Sequence, residues 1–178
     1  MPLRFRINDI SQFKQRNIFF DANILLYLFW STNLDWEKTY SSVYNSLIKN
    51  NCSMYVDFIV ISEVVNRAIR IEYWKHLNIN NLNGNRFKYK SYRNSDDGEK
   101  AISDVYNLIQ EKILCEFKIT GKNFAKKDII KFLNLNQLDF SDKAIELICR
   151  ENNFVLLTND SDFKNSDIDI LSENYQLV

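Results

Sequence analysis

Five carboxylates lie where the sequence changes from one predicted element to the next. They are Asp21, Glu63, Asp142, Asp160 and Asp162. The first ends the apolar segment 17–21, the last two follow the apolar segment 154–158, and the other two lie near the starts of helical patterns. In an open parallel sheet, ligand-binding residues gather beyond the carboxyl ends of the strands. We therefore expect these carboxylates to meet at one edge of one sheet.

A cluster of carboxylates favours one kind of chemistry. Two carboxylates about 4 Å apart repel each other by about 4 kcal/mol at an effective dielectric constant of 20. A hard divalent cation with oxygen ligands, Mg²⁺ or Mn²⁺, relieves this repulsion. Carboxylate-held Mg²⁺ also binds phosphate oxygens, and a pair of such ions activates water and stabilises the leaving oxygen. The cluster therefore predicts metal-dependent hydrolysis of a phosphodiester.

Each acidic residue also has an ordinary structural explanation. Asp21 and Asp142 suit the start of a helix, where a carboxylate accepts hydrogen bonds from backbone N–H groups. Glu63 has Arg67 four residues later as an ion-pair partner. Asp160 and its neighbour Asp162 follow a strand, where turns favour aspartate. Both explanations stay open for every one of these residues.

The spacing of apolar residues predicts alternating strands and helices. Predicted strands cover 17–21, 53–57, 154–158 and 167–171. Predicted helices cover 23–30, 35–50, 59–74, 99–115, 124–133 and 141–150. Ser141 is the expected N-cap of the last helix. This order favours an α/β fold with a central, mostly parallel sheet flanked by helices.

Composition restricts the class of protein further. The 178 residues suffice for one domain with a sizeable core, and we expect a single domain over 1–178. Hydrophobic residues make up 46%, as in globular proteins. The 23 basic and 23 acidic residues cancel, which excludes a globally basic nucleic-acid coat. Any polyanion must bind through a local patch or through metal ions.

The cysteines and the apolar segments indicate a compartment. Cys52, Cys115 and Cys149 are far apart and odd in number, which favours free thiols in a reducing environment over disulfides or a zinc site. The chain has neither a signal-peptide pattern nor an apolar run long enough to span a membrane. We therefore expect a cytoplasmic protein with no membrane partner.

The stretch 78–98 breaks the apolar pattern with six asparagines and two glycines, and it predicts a polar insertion or extension. Within it, four cations alternate with aromatic residues: Arg86, Lys88, Lys90 and Arg93. This alternation suits phosphate contacts and base stacking on single-stranded RNA. A solvated extension, or a surface that becomes ordered on a partner, is the alternative.

Three segments together resemble the PIN-domain ribonucleases. IFFDANILLYLF is similar to the family's first motif, an apolar strand that ends in Asp-x-Asn before a helix. FIVISEVVNR is similar to the second, in which Ser and Glu follow an apolar strand. FSDKAIELICRENNFVLLTNDSDF resembles the third and fourth motifs together and is the most specific of the three. The resemblance spans residues 17–163 and implies a PIN-like three-layer α/β fold.

The resemblance implies a function and assigns residues to it. It implies a Mg²⁺- or Mn²⁺-dependent endoribonuclease that leaves a 5′-phosphate and a 3′-hydroxyl, like the toxin halves of VapC-type toxin–antitoxin pairs. The metal-binding and catalytic acids would be Asp21, Glu63, Asp142 and Asp160. Asp162 would be an auxiliary metal ligand, and Asn23 and Thr158 would be polar supports. The expected partners are RNA and an antitoxin protein, and a homodimer is left open because such toxins often dimerise.

Two other functions compete with this one. A PIN-like scaffold that binds RNA or protein without catalysis would also have this sequence pattern. An α/β phosphatase with Asp21 as nucleophile would resemble phosphohydrolases that place a second aspartate two residues later, where this chain has Asn23. Lys143 departs from the nuclease pattern, since alanine is usual after the third acidic residue of the PIN motifs.

Overall fold

A six-stranded sheet forms the centre of the molecule. The computed structural model describes residues 2–31 and 35–178. The strands are β1 (Arg4–Phe5), β2 (Asn17–Phe20), β3 (Ser53–Val56), β4 (Lys118–Ile119), β5 (Val155–Leu157) and β6 (Ile170–Leu171). Their order across the sheet is β1-β6-β5-β2-β3-β4, and every neighbouring pair is parallel. Three inner strands precede candidate acids in the chain: Asp21 follows β2, Glu63 lies in the helix after β3, and Asp160 follows β5.

Helices cover both faces of this sheet. Successive side chains of a strand point to opposite faces, and Ile18, Phe19 and Phe20 of β2 are all fully buried. Val155, Leu156 and Leu157 of β5 are buried in the same way. The predicted α/β architecture, with a parallel sheet flanked by helices, is therefore confirmed.

The helices follow the predicted order with shifted ends. They are α1 (Ala22–Phe29), α2 (Trp36–Lys49), α3 (Phe58–Ile79), α4 (Tyr89–Arg93), α5 (Asp96–Leu108), α6 (Leu114–Glu116), α7 (Lys126–Phe132) and α8 (Phe140–Asn152). A single π-helical segment, Ile109–Ile113, joins α5 to α6. The predicted end of α3 at 74 is wrong, because Leu77 still packs into the core one turn later. Within the described residues, no helix is both long and apolar enough to cross a bilayer.

The polar stretch 78–98 folds back onto α3. The hydroxyl of Tyr73 donates to the backbone carbonyl of Phe87 at 2.7 Å. The ring of Phe87 lies parallel to the imidazole of His76, with centroids 5.4 Å apart, and Tyr92 is 2% exposed. The stretch thus contains a short helix, α4, whose aromatic side chains pack against α3 while its cations face solvent.

The N-cap of α8 differs from the prediction. The carboxylate of Asp139, not the hydroxyl of Ser141, accepts the backbone N–H of Asp142 at 2.9 Å. Ser141 is the second residue of the helix, two positions after the cap, and its hydroxyl donates to the same Asp139 oxygen at 2.8 Å. Both residue types are good caps, so composition alone does not separate them.

Replacing Asp139 by alanine is expected to lower the free energy of unfolding by about 1 kcal/mol, since the helix loses its cap. Asp139→Asn should retain most of the stability, because asparagine caps as well as aspartate. Urea titrations of both variants and of Ser141→Ala measure this. A larger loss in Ser141→Ala than in Asp139→Ala would restore Ser141 as the cap.

Candidate functional site

The site lies beyond the carboxyl ends of β2 and β5. These strands are neighbours in register, with Phe20 opposite Leu157, and the backbone N–H of Asp21 donates to the carbonyl of Leu157 at 3.0 Å. The next residues, Asp21 and Thr158, therefore emerge side by side at this edge. The first turn of α8 brings Asp142 to the same edge. Segments more than a hundred residues apart in sequence meet here, since Thr158 hydrogen-bonds to Asp21.

Asp21 is the most buried acid of this site and is held by three donors. It is 4% exposed and caps α1 through the backbone N–H of Ala22 at 2.6 Å. Its other oxygen accepts the side-chain amide of Asn23 at 2.7 Å and the hydroxyl of Thr158 at 2.6 Å. Asn23 and Thr158 therefore both hydrogen-bond to the same oxygen of Asp21.

The same polar residues fix the chain that carries Asp160. The carbonyl oxygen of the Asn23 side chain accepts the backbone N–H of Asn159 at 3.2 Å. The hydroxyl of Thr158 accepts the backbone N–H of Asp160 at 3.0 Å. Asp160 then caps the 3₁₀ helix Ser161–Asn165 through the N–H of Asp162 at 3.0 Å. One hydrogen-bonded network thus connects the loop after β5 to Asp21.

The acids of the site disfavour one another's ionisation. Burial, followed by the charges of Asp139, Asp21 and Asp160, raises the pKa of Asp142 from its ordinary value of 3.8 to about 7. Burial also raises the pKa of Asp21, where the Thr158 and Ala22 hydrogen bonds lower it and the charge of Asp160 raises it. These interactions place the acids of β2, β5 and α8 in one electrostatic site.

Glu63 interacts with the acids of this site and is also ion-paired with an arginine. It lies in the second turn of α3 rather than at its start, and its carboxylate pairs with the Arg67 guanidinium at 2.8 Å. Burial raises the pKa of Glu63, the charge of Arg67 opposes this, and Asp21, Asp139 and Asp160 add to the increase. Glu63 therefore forms the helical ion pair with Arg67 and also interacts with the acids of the site.

Asp139 is a member of the site that the sequence analysis missed. Its charge acts on Asp142 and Glu63. Burial opposes ionisation of Asp139, but hydrogen bonds from the Asp142 N–H, the Ser141 hydroxyl and the Ser141 N–H lower its pKa overall. The sequence does contain an indication of this role. Asp139 lies three residues before Asp142, which is the spacing between an N-cap and the third residue of a helix.

Other candidates lie outside this network. Asp162 is exposed, and its side chain lines a separate depression beside Leu138 and Glu146. The side chain of Lys143 points to α7, where it donates to the carbonyls of Phe132 and Asn134 at 2.8 and 2.7 Å. It therefore binds the end of a helix instead of the acids.

The four cations proposed for RNA binding lie on or just before α4: Arg86, Lys88, Lys90 and Arg93. All four are exposed. The aromatic residues between them are engaged elsewhere: Phe87 packs on His76, and the ring of Tyr89 lies 4.8 Å from the Arg70 guanidinium. The cations are therefore free to contact phosphates, whereas these rings already pack on α3.

The donor chemistry of the site suits a hard divalent cation. Carboxylates from several segments interact electrostatically here, and the raised pKa values of Asp21, Glu63 and Asp142 reflect charge that a cation would neutralise. Within residues 2–31 and 35–178, however, no three acidic, cysteine or histidine side chains are placed to hold one ion together. Glu63 is turned to Arg67, and both oxygens of Asp21 already accept hydrogen bonds.

No protein-family model and no curated protein matches the chain. Among solved structures, a chain of the VapBC2 complex of Rickettsia felis, bound to a DNA fragment from its promoter, is similar with 16% identity and a TM-score of 0.48. The similarity covers 88% of this chain and 98% of that one. The sheet and helices described above, not this likeness, establish the α/β fold.

Proposed function

We propose that this protein is a metal-dependent endoribonuclease that hydrolyses RNA phosphodiester bonds. One observation carries the proposal: the charges of Asp21 and Asp160 raise the pKa of Asp142, and the charge of Asp160 raises the pKa of Asp21, at the carboxyl edge of a parallel sheet. In the described part of the chain, the cation whose charge acts on Asp21 is Arg67, which is already paired with Glu63. A cluster in which several acids share one arginine is costly for a purely structural role.

The residues of the site have distinct roles in this proposal. The metal would be held by Asp21, Glu63, Asp142 and Asp160, with Asp162 as an auxiliary ligand. When bound, Mg²⁺ or Mn²⁺ supplies charge neutralisation and a more acidic water. Asn23 and Thr158 orient Asp21 and the loop that carries Asp160 through their hydrogen bonds. Because Glu63 is paired with Arg67, metal ligation by Glu63 requires this ion pair to open.

The biological setting follows from the motif resemblance. We infer that the protein is the toxin of a type II toxin–antitoxin pair, acts in the cytoplasm, and is neutralised by a cognate antitoxin. A homodimer remains compatible with this setting. A short reading frame directly upstream that encodes a DNA-binding fold with a tail would support it, and its absence would count against the toxin assignment.

A scaffold without catalysis is the second candidate. One observation favours it: among the described residues, no three acidic, cysteine or histidine side chains are placed to hold one ion. Calorimetry separates the two candidates, because a scaffold should bind no Mn²⁺ at millimolar concentration. Asp142→Asn serves as the matched variant, since it removes one charge and leaves the hydrogen bonds of Asp21 in place.

We expect the purified protein to cleave RNA in Mn²⁺ or Mg²⁺ and to lose this activity in EDTA. The products should carry 5′-phosphate and 3′-hydroxyl ends, which end-labelling with and without phosphatase treatment detects. Heat-inactivated protein and Asp21→Asn protein serve as controls for contaminating nucleases. Cleavage that is as fast in EDTA, or as fast in Asp21→Asn, would refute the proposed function.

A further inference from the structure

A groove beside the acidic site has the chemistry of a nucleotide-binding surface. It encloses about 410 Å³ between α1 and α3. Its lining includes Asn23, Tyr27, Arg67, Arg70 and Trp74. Asn23 also donates to Asp21, so the groove and the proposed catalytic acids share this residue.

One face of α3 forms the long wall of this groove. Glu63, Arg67, Arg70 and Trp74 are spaced by four, three and four residues, which places them in one row on the helix. At 1.5 Å per residue the row is about 16 Å long. It runs from an acid of the site, through two guanidinium groups, to an indole ring.

The exposed side chains in this row, arginine and tryptophan, are of the types that proteins use to bind single-stranded nucleic acid. Trp74 is 59% exposed, which leaves much of a large aromatic ring available for stacking. The Arg70 guanidinium is centred 4.8 Å from the ring of Tyr89, and the N–H groups in a guanidinium's plane bind phosphate oxygens. Arg67 is half-exposed and joins the row to the acids through Glu63.

We propose that this groove binds a nucleotide of single-stranded RNA next to the bond that is cleaved. Arg70 contacts a phosphate and Trp74 stacks on a base. The inference rests on the proposed function for its choice of RNA. The two arginines favour a polyanion over an apolar peptide segment, because phosphate oxygens accept hydrogen bonds from guanidinium N–H groups and an apolar side chain does not.

The test measures binding of a fluorescein-labelled single-stranded oligouridine by fluorescence anisotropy in EDTA, where no metal-dependent cleavage occurs. Trp74→Ala should weaken binding roughly tenfold or more, and Trp74→Phe should restore most of it. Arg70→Gln should lower the slope of log affinity against log salt concentration by about 0.7, as expected for one lost phosphate contact with a single strand.

Two variants provide matched controls. Tyr106→Ala removes an aromatic ring that is 58% exposed on α5, close to the exposure of Trp74. Arg150→Gln removes an exposed cation from the last turn of α8, at the opposite end of that helix from Asp142. Both should bind RNA like the wild-type protein.

The outcomes separate this inference from the proposed function. Weaker RNA binding in Trp74→Ala, together with no cleavage by wild-type protein in Mn²⁺, would support the groove and refute the nuclease. Wild-type affinity in Trp74→Ala, or equal losses in Trp74→Ala and Tyr106→Ala, would overturn the groove. A protein partner that shields Trp74 from acrylamide quenching, and that RNA does not displace, would also overturn it.

Discussion

Asp142→Asn is expected to reduce metal-dependent RNA cleavage on the order of a hundredfold or more, because metal-ion catalysis contributes several kcal/mol to transition-state stabilisation. Asp142 is half-buried beside Asp21 and Asp160, and asparagine has nearly the same shape with no charge. The N-cap hydrogen bond from its backbone N–H to Asp139 does not involve the replaced group. The substitution therefore removes a metal-binding charge and leaves the helix start intact.

Initial rates at saturating Mn²⁺ measure this effect, with circular dichroism to verify folding. Asp162→Asn is the comparison, because its exposed carboxylate lies outside the hydrogen-bonded network of Asp21 and should matter much less. An equal loss in Asp162→Asn would move that residue into the site. Retained, metal-stimulated cleavage in both Asp142→Asn and Asp21→Asn would contradict the assignment.

The centre of the fold was predictable because its strands are short, apolar and buried on both faces. The segment 17–20 contains Ile18, Phe19 and Phe20, a pattern that suits a covered parallel strand and little else. Once that strand is predicted, Asp21 is placed at its carboxyl end. The edge strands β1 and β4 have two residues each, too few for any periodicity to show, and were missed.

The ends of the helices depended on contacts that sequence does not show. Asp139 and Ser141 are both good caps two residues apart, and only the backbone path decides between them. Similarly, the asparagine-rich composition after 77 suggested that α3 had ended. In the structure α3 continues to Ile79 because His76 and Leu77 pack against neighbouring residues, the ring of Phe87 among them.

The candidate site likewise has features that the sequence predicts and features that depend on three-dimensional contacts. That the acids converge followed from topology, since residues after parallel strands share one edge. The pairing of Glu63 with Arg67 was equally compatible with the sequence and is present alongside the shared acidic site. Helical spacing allows this pair but does not determine the rotamers that form it, so only coordinates reveal that Glu63 has a cation partner.

Without divalent ions, the free energy of unfolding is expected to fall as the pH rises from about 4 to 7. The pKa of Asp142 is about 7 in the folded protein, against its ordinary value of 3.8. Between these values the folded protein retains a proton that the unfolded chain has lost, so raising the pH favours unfolding. Because this carboxyl is partly accessible to solvent, screening limits the effect to roughly 1–2 kcal/mol.

A divalent ion should reverse this dependence. At a hundred times its dissociation constant, Mn²⁺ would stabilise the folded protein by about 2.7 kcal/mol. The gain should be larger at pH 8 than at pH 5, because protons compete with the metal for carboxylates. Urea titrations at both pH values, with Mn²⁺ or EDTA, measure this.

Asp142→Asn tests whether the pH effect belongs to the acidic site. In EDTA the variant should be more stable than the wild-type protein at pH 8 and similar to it at pH 4, since asparagine carries no charge at either pH. Part of the slope should persist, because burial also raises the pKa values of Asp21 and Glu63. If Asp142→Asn gains nothing at pH 8, or if Mn²⁺ stabilises it as much as the wild-type protein, Asp142 is not a charged member of a metal-binding cluster.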